Sequence, residues 1–258
     1  MINRAARSLR LRAADMSDVA LRRRDPLIPP RRLAGYVGDS DFAATGDEFL
    51  GYFRELAGLR AQDRVLEIGC GIGRMARVLV PVLHPPGSYD GFDVVDSGIA
   101  WCQEHYRVTA APFRFVHADL RNSAYNPGGA LDPGSYRFPY DDGAFDLVIA
   151  TSLFTHLLPD AAAHYVSEVV RVLAPSGRLF ATWLLLSAAR PAPAAFVELD
   201  AHTRLGDPDV PESAVAYDEG WVTERLAGRG LSLDVLAHGT WSGLEGRSFQ
   251  DIVVAHRE

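Results

Sequence analysis

The stretch that decides the fold is VLEIGCGIGR, residues 65–74. Its first four residues are apolar apart from Glu67, and they predict a short buried strand. Three glycines at alternate positions follow, and residues 75–83 then show the apolar spacing of a helix. A strand that becomes a helix through glycines leaves backbone N–H groups at the positive end of a helix dipole, where no side chain obstructs a ligand. The stretch therefore predicts a nucleotide-type binding site.

The spacing of these glycines argues against a dinucleotide. A dinucleotide fingerprint needs G-x-G-x-x-G, but Gly73 comes one position early and Arg74 stands where the fingerprint has glycine. Pyrophosphate requires a close backbone approach at that point, and an arginine side chain there obstructs it or serves another purpose. On this stretch alone, a tight strand-to-helix turn without a ligand remains an alternative.

Length and composition favour one large α/β domain. The chain has 258 residues, of which 48% are hydrophobic and 23% charged, as in globular proteins. No apolar run approaches the roughly 20 residues that span a bilayer, so we expect no membrane segment. Two cysteines, Cys70 and Cys102, do not make a disulfide framework, which favours a reducing, cytoplasmic location.

Charge is distributed unevenly along the chain. Residues 1–32 carry nine arginines and three aspartates, a net charge of +6, which leaves −13 for the remainder of the total of −7. We expect a basic, partly disordered arm over residues 1–32 and a single domain over residues 33–258. The arm could also bind nucleic acid, dock on the acidic body or act as a transit peptide, although its aspartates argue against the last.

A second acid follows the glycine stretch at an informative distance. Residues 88–95 predict a strand, and Asp93 at its tip lies 20 residues after Gly73. A strand, a helix and a second strand ending in an acid provide what a ribose-binding carboxylate requires, because the carboxylate can accept both vicinal hydroxyls. The pairing of the two features is more specific than either alone.

Further strands are predicted along the rest of the chain. Within residues 145–152, the uninterrupted apolar run Leu147–Ala150 suits a central parallel strand buried on both faces. Strands are also predicted over residues 113–120 and 178–186, and a helix over residues 48–59. Residues 231–237 and 249–256 predict an antiparallel hairpin at the sheet edge.

Several of these segments resemble motifs of one family. The stretch at residues 65–74 resembles motif I, E/D-x-G-x-G-x-G, of the class I S-adenosylmethionine-dependent methyltransferases. The FDLV run from Phe145, the His156-Leu157 pair and the LAPSG turn at residues 173–177 resemble later motifs of that family. The resemblance covers roughly residues 46–256. It implies an α/β fold with a Rossmann-like, doubly wound, seven-stranded and mostly parallel sheet that ends in an antiparallel hairpin.

The resemblance implies S-adenosyl-L-methionine as the cofactor. In the family the glycine loop runs under the methionine and ribose portions, the acid at the position of Asp93 binds the ribose, and the acid at the position of Asp119 binds the adenine amino group. Capping a helix is the alternative for Asp119. The expected cofactor-binding residues are Glu67, Gly69, Cys70, Gly71, Gly73, Asp93, Val94, Asp119, Leu120 and Thr151.

His156 is the candidate general base. It follows the predicted central strand, at the sheet edge where open α/β sheets bind ligands, and a histidine titrates near operating pH. A histidine at this position also serves a structural role in many family members, and His202 and His238 are weaker alternatives. We expect no metal, because the chain has no zinc-type Cys/His spacing and Asp141-Asp142 is not followed by the Asn of metal-dependent relatives.

Two irregular segments are candidates for a substrate cap. Residues 121–139 and 188–217 are rich in glycine, proline or alanine, and loops of such length commonly carry function. The segment before motif I often folds over the cofactor in the family, which makes Tyr36, Asp39 and Phe42 lid candidates. Ordinary loop and core positions are the alternative for these three.

The sequence thus predicts an enzyme that transfers a methyl group from S-adenosylmethionine to a small-molecule acceptor, with oxygen as the favoured atom. Methylation of RNA or protein is an alternative that the acidic body disfavours, so nucleic acid is not an expected partner. A protein that binds the cofactor without transferring methyl is the other alternative. The sequence does not indicate the acceptor or the oligomeric state.

Overall fold

A seven-stranded sheet organises the computed structural model, which describes residues 25–34 and 40–258. The strand order is β10-β11-β5-β4-β1-β2-β3, and all neighbours are parallel except β11, which runs antiparallel to both β5 and β10. The strands are β1 (Arg64–Ile68), β2 (Ser88–Asp93), β3 (Phe113–His117), β4 (Phe145–Ala150), β5 (Leu173–Trp183), β10 (Leu231–Ala237) and β11 (Asp251–Arg257). The predicted doubly wound sheet with a terminal antiparallel hairpin is confirmed.

Helices cover both faces of the sheet. They are α1 (Phe42–Glu55), α2 (Arg74–Leu79), α3 (Asp96–His105), α4 (Pro159–Val172) and α5 (Glu219–Ala227). Buried residues of α1, α2 and α3 belong to one core cluster, and buried residues of α4 and α5 belong to the other. Because β4 is buried between the two clusters everywhere except at Asp146, its last four residues, Leu147–Ala150, are all apolar.

The first helix begins earlier than the sequence suggested. The helix predicted from residue 48 starts at Phe42, and the Asp41 carboxylate caps it by accepting the Ala44 N–H at 2.7 Å. Gly46 lies inside the helix, where a Cβ would come within 3.0 Å of the Arg74 carbonyl oxygen. This glycine therefore allows the close packing of α1 on α2.

A second, smaller sheet occupies the segment that sequence reasoning left irregular. Its order is β6-β9-β8-β7, formed by β6 (Leu185–Leu186), β7 (Val197–Glu198), β8 (Thr203–Leu205) and β9 (Val215–Asp218). A 3-10 turn, Pro211–Ser213, precedes β9. The cap candidate over residues 188–217 therefore contains short strands, although its sequence shows little periodicity.

The described part of the N-terminal region packs on the domain. Leu27 and Leu33 contact the core cluster of α1, α2 and α3, and Asp25 lies 3.5 Å from Arg77. Residues 1–24 of the predicted basic arm lie outside the described residues. So do the lid candidates Tyr36 and Asp39, whereas Phe42 is buried in α1. Within the described ranges, no helix is both long and apolar enough to cross a bilayer.

Candidate functional site

A cavity of about 560 Å³ opens at the carboxyl ends of β1, β2 and β4. This is the edge where open α/β sheets bind ligands. The glycine loop, the β2 exit, helix α1, the 121–139 insert, the β4 exit and the 238–250 segment all contribute to its walls.

The glycine loop forms a floor without side chains. Gly69 and Gly71 line the cavity at φ angles of +75° and +55°, a region that residues with a Cβ rarely adopt. A Cβ at Gly69 would also come within 3.1 Å of the Leu153 side chain. Glycine at these positions lets a ligand lie directly against the backbone at the start of α2.

Asp93 connects this loop to the end of β2. One carboxylate oxygen accepts the Gly71 N–H at 2.8 Å, and the other accepts the Val95 N–H at 2.8 Å. Burial raises the pKa of Asp93, and these N–H donors oppose the shift. Each oxygen keeps a further lone pair, and the side chain lines the cavity. Asp93 can therefore accept hydroxyl groups of a ligand while it holds the loop in place.

Glu67 contributes a carboxyl group that is a weaker acid than an ordinary glutamate. Its side chain is 2% exposed, lines the cavity and accepts a short hydrogen bond from the Tyr89 hydroxyl. Burial raises the pKa of Glu67 to about 8, and the Tyr89 bond opposes the shift. Glu67 is therefore mostly protonated at neutral pH in the free protein, and a cation in the cavity would favour its ionised form.

His156 is held as a neutral imidazole by a backbone carbonyl. Its Nδ1 lies 2.9 Å from the Glu212 carbonyl oxygen, and because a carbonyl only accepts, Nδ1 carries the hydrogen. Nε2 is then the acceptor, and it lies 3.4 Å from the Tyr125 hydroxyl. Burial lowers the pKa of His156, and the Glu212 carbonyl opposes the shift. The cavity therefore contains a nitrogen lone pair suited to accept a proton.

Aromatic packing fixes the turn that carries His156. The 3-10 turn Phe154–His156 follows the β4 exit, and the Phe154 ring stacks on Trp183 at 4.0 Å. Trp183 in turn meets Tyr217 of the small sheet edge-on at 5.5 Å. These rings join the histidine turn to both sheets, which limits the freedom of the imidazole.

The insert and the small-sheet segment bond to each other beside the histidine. Ser123 donates its N–H to the Glu212 carboxylate at 2.6 Å, and Glu212 donates its N–H to the Ser123 hydroxyl at 3.3 Å. Asn122 donates its side-chain N–H to the His156 carbonyl at 3.0 Å. The two segments predicted as a substrate cap therefore meet at the candidate base.

A set of mainly uncharged residues lies around His156 and is called here the acceptor wall. Ser152 accepts a 2.9 Å hydrogen bond from Gln250, which links the β4 exit to the 238–250 segment. Ser152 has a φ of +54°, and its N–H donates to the Thr182 hydroxyl at 2.7 Å. The acceptor wall consists of Tyr125, Ser152, Leu153, His156, Leu157, Tyr165, Phe249 and Gln250, all of which line the cavity.

The structure brings most of the predicted site residues together. Those that line the cavity are Glu67, Gly69, Cys70, Gly71, Asp93, Val94, Leu120, Thr151 and His156. Gly73 does not line it, because this residue caps α2 and its carbonyl accepts the Tyr106 hydroxyl at 2.9 Å. His202 and His238 are also absent from the cavity lining, and His238 bonds Glu219 at 2.8 Å.

Asp119 departs most from its expected place. The side chain is exposed and outside the cavity lining. Its carboxylate accepts the Asn126 side-chain N–H at 2.9 Å and the Ala130 N–H at 3.3 Å, so it organises the insert. This geometry does not support the expected contact with adenine, because the insert supplies the partners of the carboxylate.

Sequence reasoning missed several cavity residues. Arg74, which was noted as an obstacle to pyrophosphate, lines the cavity with Glu48 and Thr45 of α1. Tyr125, Ser152, Phe249 and Gln250 line it as well. The position of Arg74 directly after the third glycine was the available signal, whereas the others come from irregular segments without a local pattern.

The part of the chain that forms this cavity floor is similar to a known protein family. The family model described as a methyltransferase domain matches residues 65–177, from β1 through the start of β5. This match supports a class I S-adenosylmethionine-dependent methyltransferase domain over residues 65–177. It likewise supports S-adenosylmethionine as the cofactor.

Relatives agree with this assignment over part of their length. The chain is similar to a phthiotriol/phenolphthiotriol dimycocerosates methyltransferase of Mycobacterium leprae, at 34% identity over 45% of this chain and 36% of that protein. It is similar to a fatty-acid O-methyltransferase of Mycolicibacterium smegmatis, at 31% identity over 50% of this chain and 38% of that protein. The matched region thus spans little more than a third of each relative.

A solved structure shows the same fold. The crystal structure of a SAM-dependent methyltransferase from Methanosarcina mazei superposes with a TM-score of 0.52 at 18% identity. The match covers 77% of this chain and 94% of that one. The sheet and its flanking helices are therefore those of the methyltransferase domain.

The cavity fits the cofactor on its charges. S-adenosylmethionine carries a sulfonium, an ammonium and a carboxylate group, and the cavity contains the carboxyl groups of Glu48, Glu67 and Asp93 together with the Arg74 guanidinium. The glycine floor supplies the close backbone approach. Within the described residues, no cluster of three or more His, Cys, Asp or Glu side chains could hold a metal ion.

Proposed function

We propose that this protein transfers a methyl group from S-adenosylmethionine to a hydroxyl oxygen of a small-molecule acceptor, with His156 as the general base. The observation that carries the proposal is the 2.9 Å hydrogen bond from His156 Nδ1–H to the Glu212 carbonyl, which leaves Nε2 as a proton acceptor inside the cavity. A hydroxyl must lose its proton during transfer, and an amine or carbanion acceptor would make a different demand on the site.

The cofactor, when bound, supplies an electrophilic methyl group on a positively charged sulfur and leaves as S-adenosylhomocysteine. We assign Asp93 to the ribose hydroxyls, Glu67 and Glu48 to the positive groups, and Arg74 to the carboxylate. The Gly69–Gly71 backbone and the Val94, Leu120 and Thr151 positions complete the cofactor side. Support comes from their joint presence on the cavity walls.

His156 and its neighbours act on the acceptor molecule. The acceptor O–H bond breaks and its proton moves to Nε2, while a new O–CH₃ bond forms and the electron pair of the broken S–CH₃ bond stays on sulfur. The Glu212 carbonyl keeps the imidazole in the required tautomer and stabilises the imidazolium that forms. The insert and the 238–250 segment narrow the site and hold the acceptor in line.

Two further features support a small acceptor over a macromolecule. The insert and the small-sheet segment meet at the candidate base, so the acceptor must enter a cavity rather than lie across an open face. Residues 33–258 carry a net charge of −13, which disfavours a polyanion. The two cysteines are free buried thiols, and we place the reaction in the cytoplasm.

The test is product formation. The protein is incubated with S-adenosylmethionine carrying a ¹³C-labelled methyl group and a panel of phenols, alcohols, amines and carboxylic acids. We expect a new O–¹³CH₃ signal and equimolar S-adenosylhomocysteine with hydroxyl acceptors. Labelled N-methyl or C-methyl products would reassign the atom. Cofactor binding by calorimetry with no labelled product from any acceptor would favour a binding protein without transfer.

A further inference from the structure

We propose, building on the methyl transfer above, that the acceptor is an uncharged, apolar phenol or alcohol whose body runs from His156 out of the cavity across the rings of Tyr125 and Phe249. The proposal concerns the class of substrate. It rests on three observations at the acceptor wall: an exposed ring at the cavity opening, a ring against the base, and the distribution of charge.

The exposed ring belongs to Phe249. Its side chain lines the cavity and yet is 67% exposed, so the ring lies at the boundary between cavity and solvent. The surrounding backbone is ordered, because the Phe249 carbonyl accepts the Trp241 N–H at 3.0 Å and the adjacent Gln250 side chain bonds Thr182 and Ser152. An aromatic ring fixed at an opening gains free energy when an apolar ligand covers it.

The second ring continues this surface to the base. Tyr125 is 43% exposed, lines the cavity and meets the His156 ring edge-on with 5.1 Å between centroids. Its hydroxyl lies 3.4 Å from Nε2, the position that an acceptor hydroxyl would take. Tyr125 and Phe249 therefore offer apolar surface both at the reacting atom and at the opening.

The charged residues of the cavity lining are not members of the acceptor wall. Glu48, Glu67, Asp93 and Arg74 come from α1, β1, the β2 exit and the start of α2, and the exposed Arg121 comes from the start of the insert. In the acceptor wall, as far as the described residues define it, the chargeable side chain at neutral pH is His156, and burial favours its neutral form. An anionic or cationic head group on the acceptor would lose water there without a charged partner.

Two further exposed apolar residues occur in the same two segments. Leu131, in the same insert as Tyr125, is 45% exposed, and Leu244, in the same segment as Phe249, is 44% exposed. The segments that frame the opening thus carry further exposed apolar side chains.

A homologous series of 4-alkylphenols, from methyl to hexyl, tests the proposal with two readouts. The first is kcat/KM from S-adenosylhomocysteine formation. The second is the affinity of each phenol for the protein saturated with S-adenosylhomocysteine, measured by calorimetry. We expect both to rise by about two- to fourfold per added methylene, since a fully buried methylene changes an equilibrium constant by roughly fourfold.

Substitutions of the two rings test whether they cause the dependence of kcat/KM and affinity on alkyl chain length. Phe249→Ala and Tyr125→Ala should flatten the dependence on chain length in both readouts, while Tyr125→Phe should keep it. The affinity for S-adenosylhomocysteine should stay within about twofold, because the cofactor contacts assigned above include neither ring. Val108→Ala is the matched control, because Val108 is 97% exposed and does not line the cavity.

Other outcomes separate this proposal from the reaction on which it rests. Higher kcat/KM for 4-hydroxybenzoate or tyramine than for neutral phenols, or an unchanged slope in Phe249→Ala, would overturn the substrate class while methyl transfer stands. Failure of every phenol to bind or react would overturn it as well. Phenols that bind with the expected slope but yield no S-adenosylhomocysteine would support the apolar wall and refute the methyl transfer.

Discussion

His156 donates its Nδ1–H to the carbonyl oxygen of Glu212 across 2.9 Å, although the two residues are 56 positions apart in the chain. The contact joins the β4 exit, a part of the methyltransferase sheet, to a segment that precedes β9 of the small sheet. It fixes the tautomer of the imidazole, and the lone pair of Nε2 then belongs to the cavity.

The pH dependence of catalysis follows from this bond. Because burial lowers the pKa of His156 below its ordinary value of 6.5, kcat/KM should rise with pH on the acid side and level off before neutrality. The measurement is kcat/KM between about pH 5 and 8. In His156→Ala, kcat/KM should fall by about 10²–10⁴, and its rise with pH on the acid side should disappear. His202→Ala and His238→Ala should retain both, and a wild-type profile in His156→Ala would return this histidine to a structural role.

Two aspartates test the cofactor assignments as a matched pair. Asp93→Ala should weaken binding of S-adenosylhomocysteine by about 1.5–3 kcal/mol, the usual contribution of charge-assisted hydrogen bonds. Asp119→Ala should leave that affinity within about threefold, because the Asp119 carboxylate bonds the insert outside the cavity. Calorimetry measures both. Equal losses in the two variants would restore Asp119 to the cofactor site.

Burial of Glu67 predicts a stability that depends on pH. The carboxyl ionises near 4.5 in an unfolded chain and near 8 in the folded protein. Between those values the folded state holds a proton that the unfolded state has lost, so this contribution to stability declines as pH rises towards 8. Glu67→Gln should therefore show a shallower decline in melting temperature between about pH 5 and 9 than the wild type. Glu104→Gln, at an exposed position, is the control and should follow the wild-type curve.

Asp251 should be the most sensitive acidic position for folding. It is fully buried, and its carboxylate accepts the N–H groups of Leu185 and Gly239 at 2.7 Å and the Trp241 ring N–H at 2.6 Å. Asp251→Ala would leave these three N–H donors buried without an acceptor, and we expect a loss of about 3 kcal/mol or more in the free energy of unfolding.

Urea denaturation measures the effect of Asp251→Ala. The matched control is Asp234→Ala, which removes a half-exposed contact with His256 and should cost less than about 1 kcal/mol. Similar losses in the two variants would show that the Asp251 carboxylate does not organise the start of β6 and the 238–250 segment.

The sequence predicted the parts of the fold that have a local cause. Alternating glycines, an apolar run before them and the 20-residue interval to Asp93 all arise within one strand–helix–strand unit, so their spacing specifies the loop and the β2 exit. The apolar run of β4 likewise follows from burial on both faces.

The small sheet and the acceptor wall lacked such a signal. β6 and β7 are two residues long, and β6 pairs with β9 about 30 residues later in the chain, so no periodicity can develop. The Asp119 carboxylate met the pattern for an adenine contact, yet the insert that follows it supplies its partners. Long-range contacts of this kind depend on tertiary structure rather than on local sequence.

The reciprocal bonds between Ser123 and Glu212 have a consequence for redesign. Each residue both donates a hydrogen bond to the other and accepts one from it. The insert and the small-sheet segment therefore form one structural unit at this point. A chimera that imported only one of them from a relative would leave an amide hydrogen of the other without its acceptor beside the histidine turn. New specificities for this scaffold should accordingly be sought by exchanging both segments in one piece.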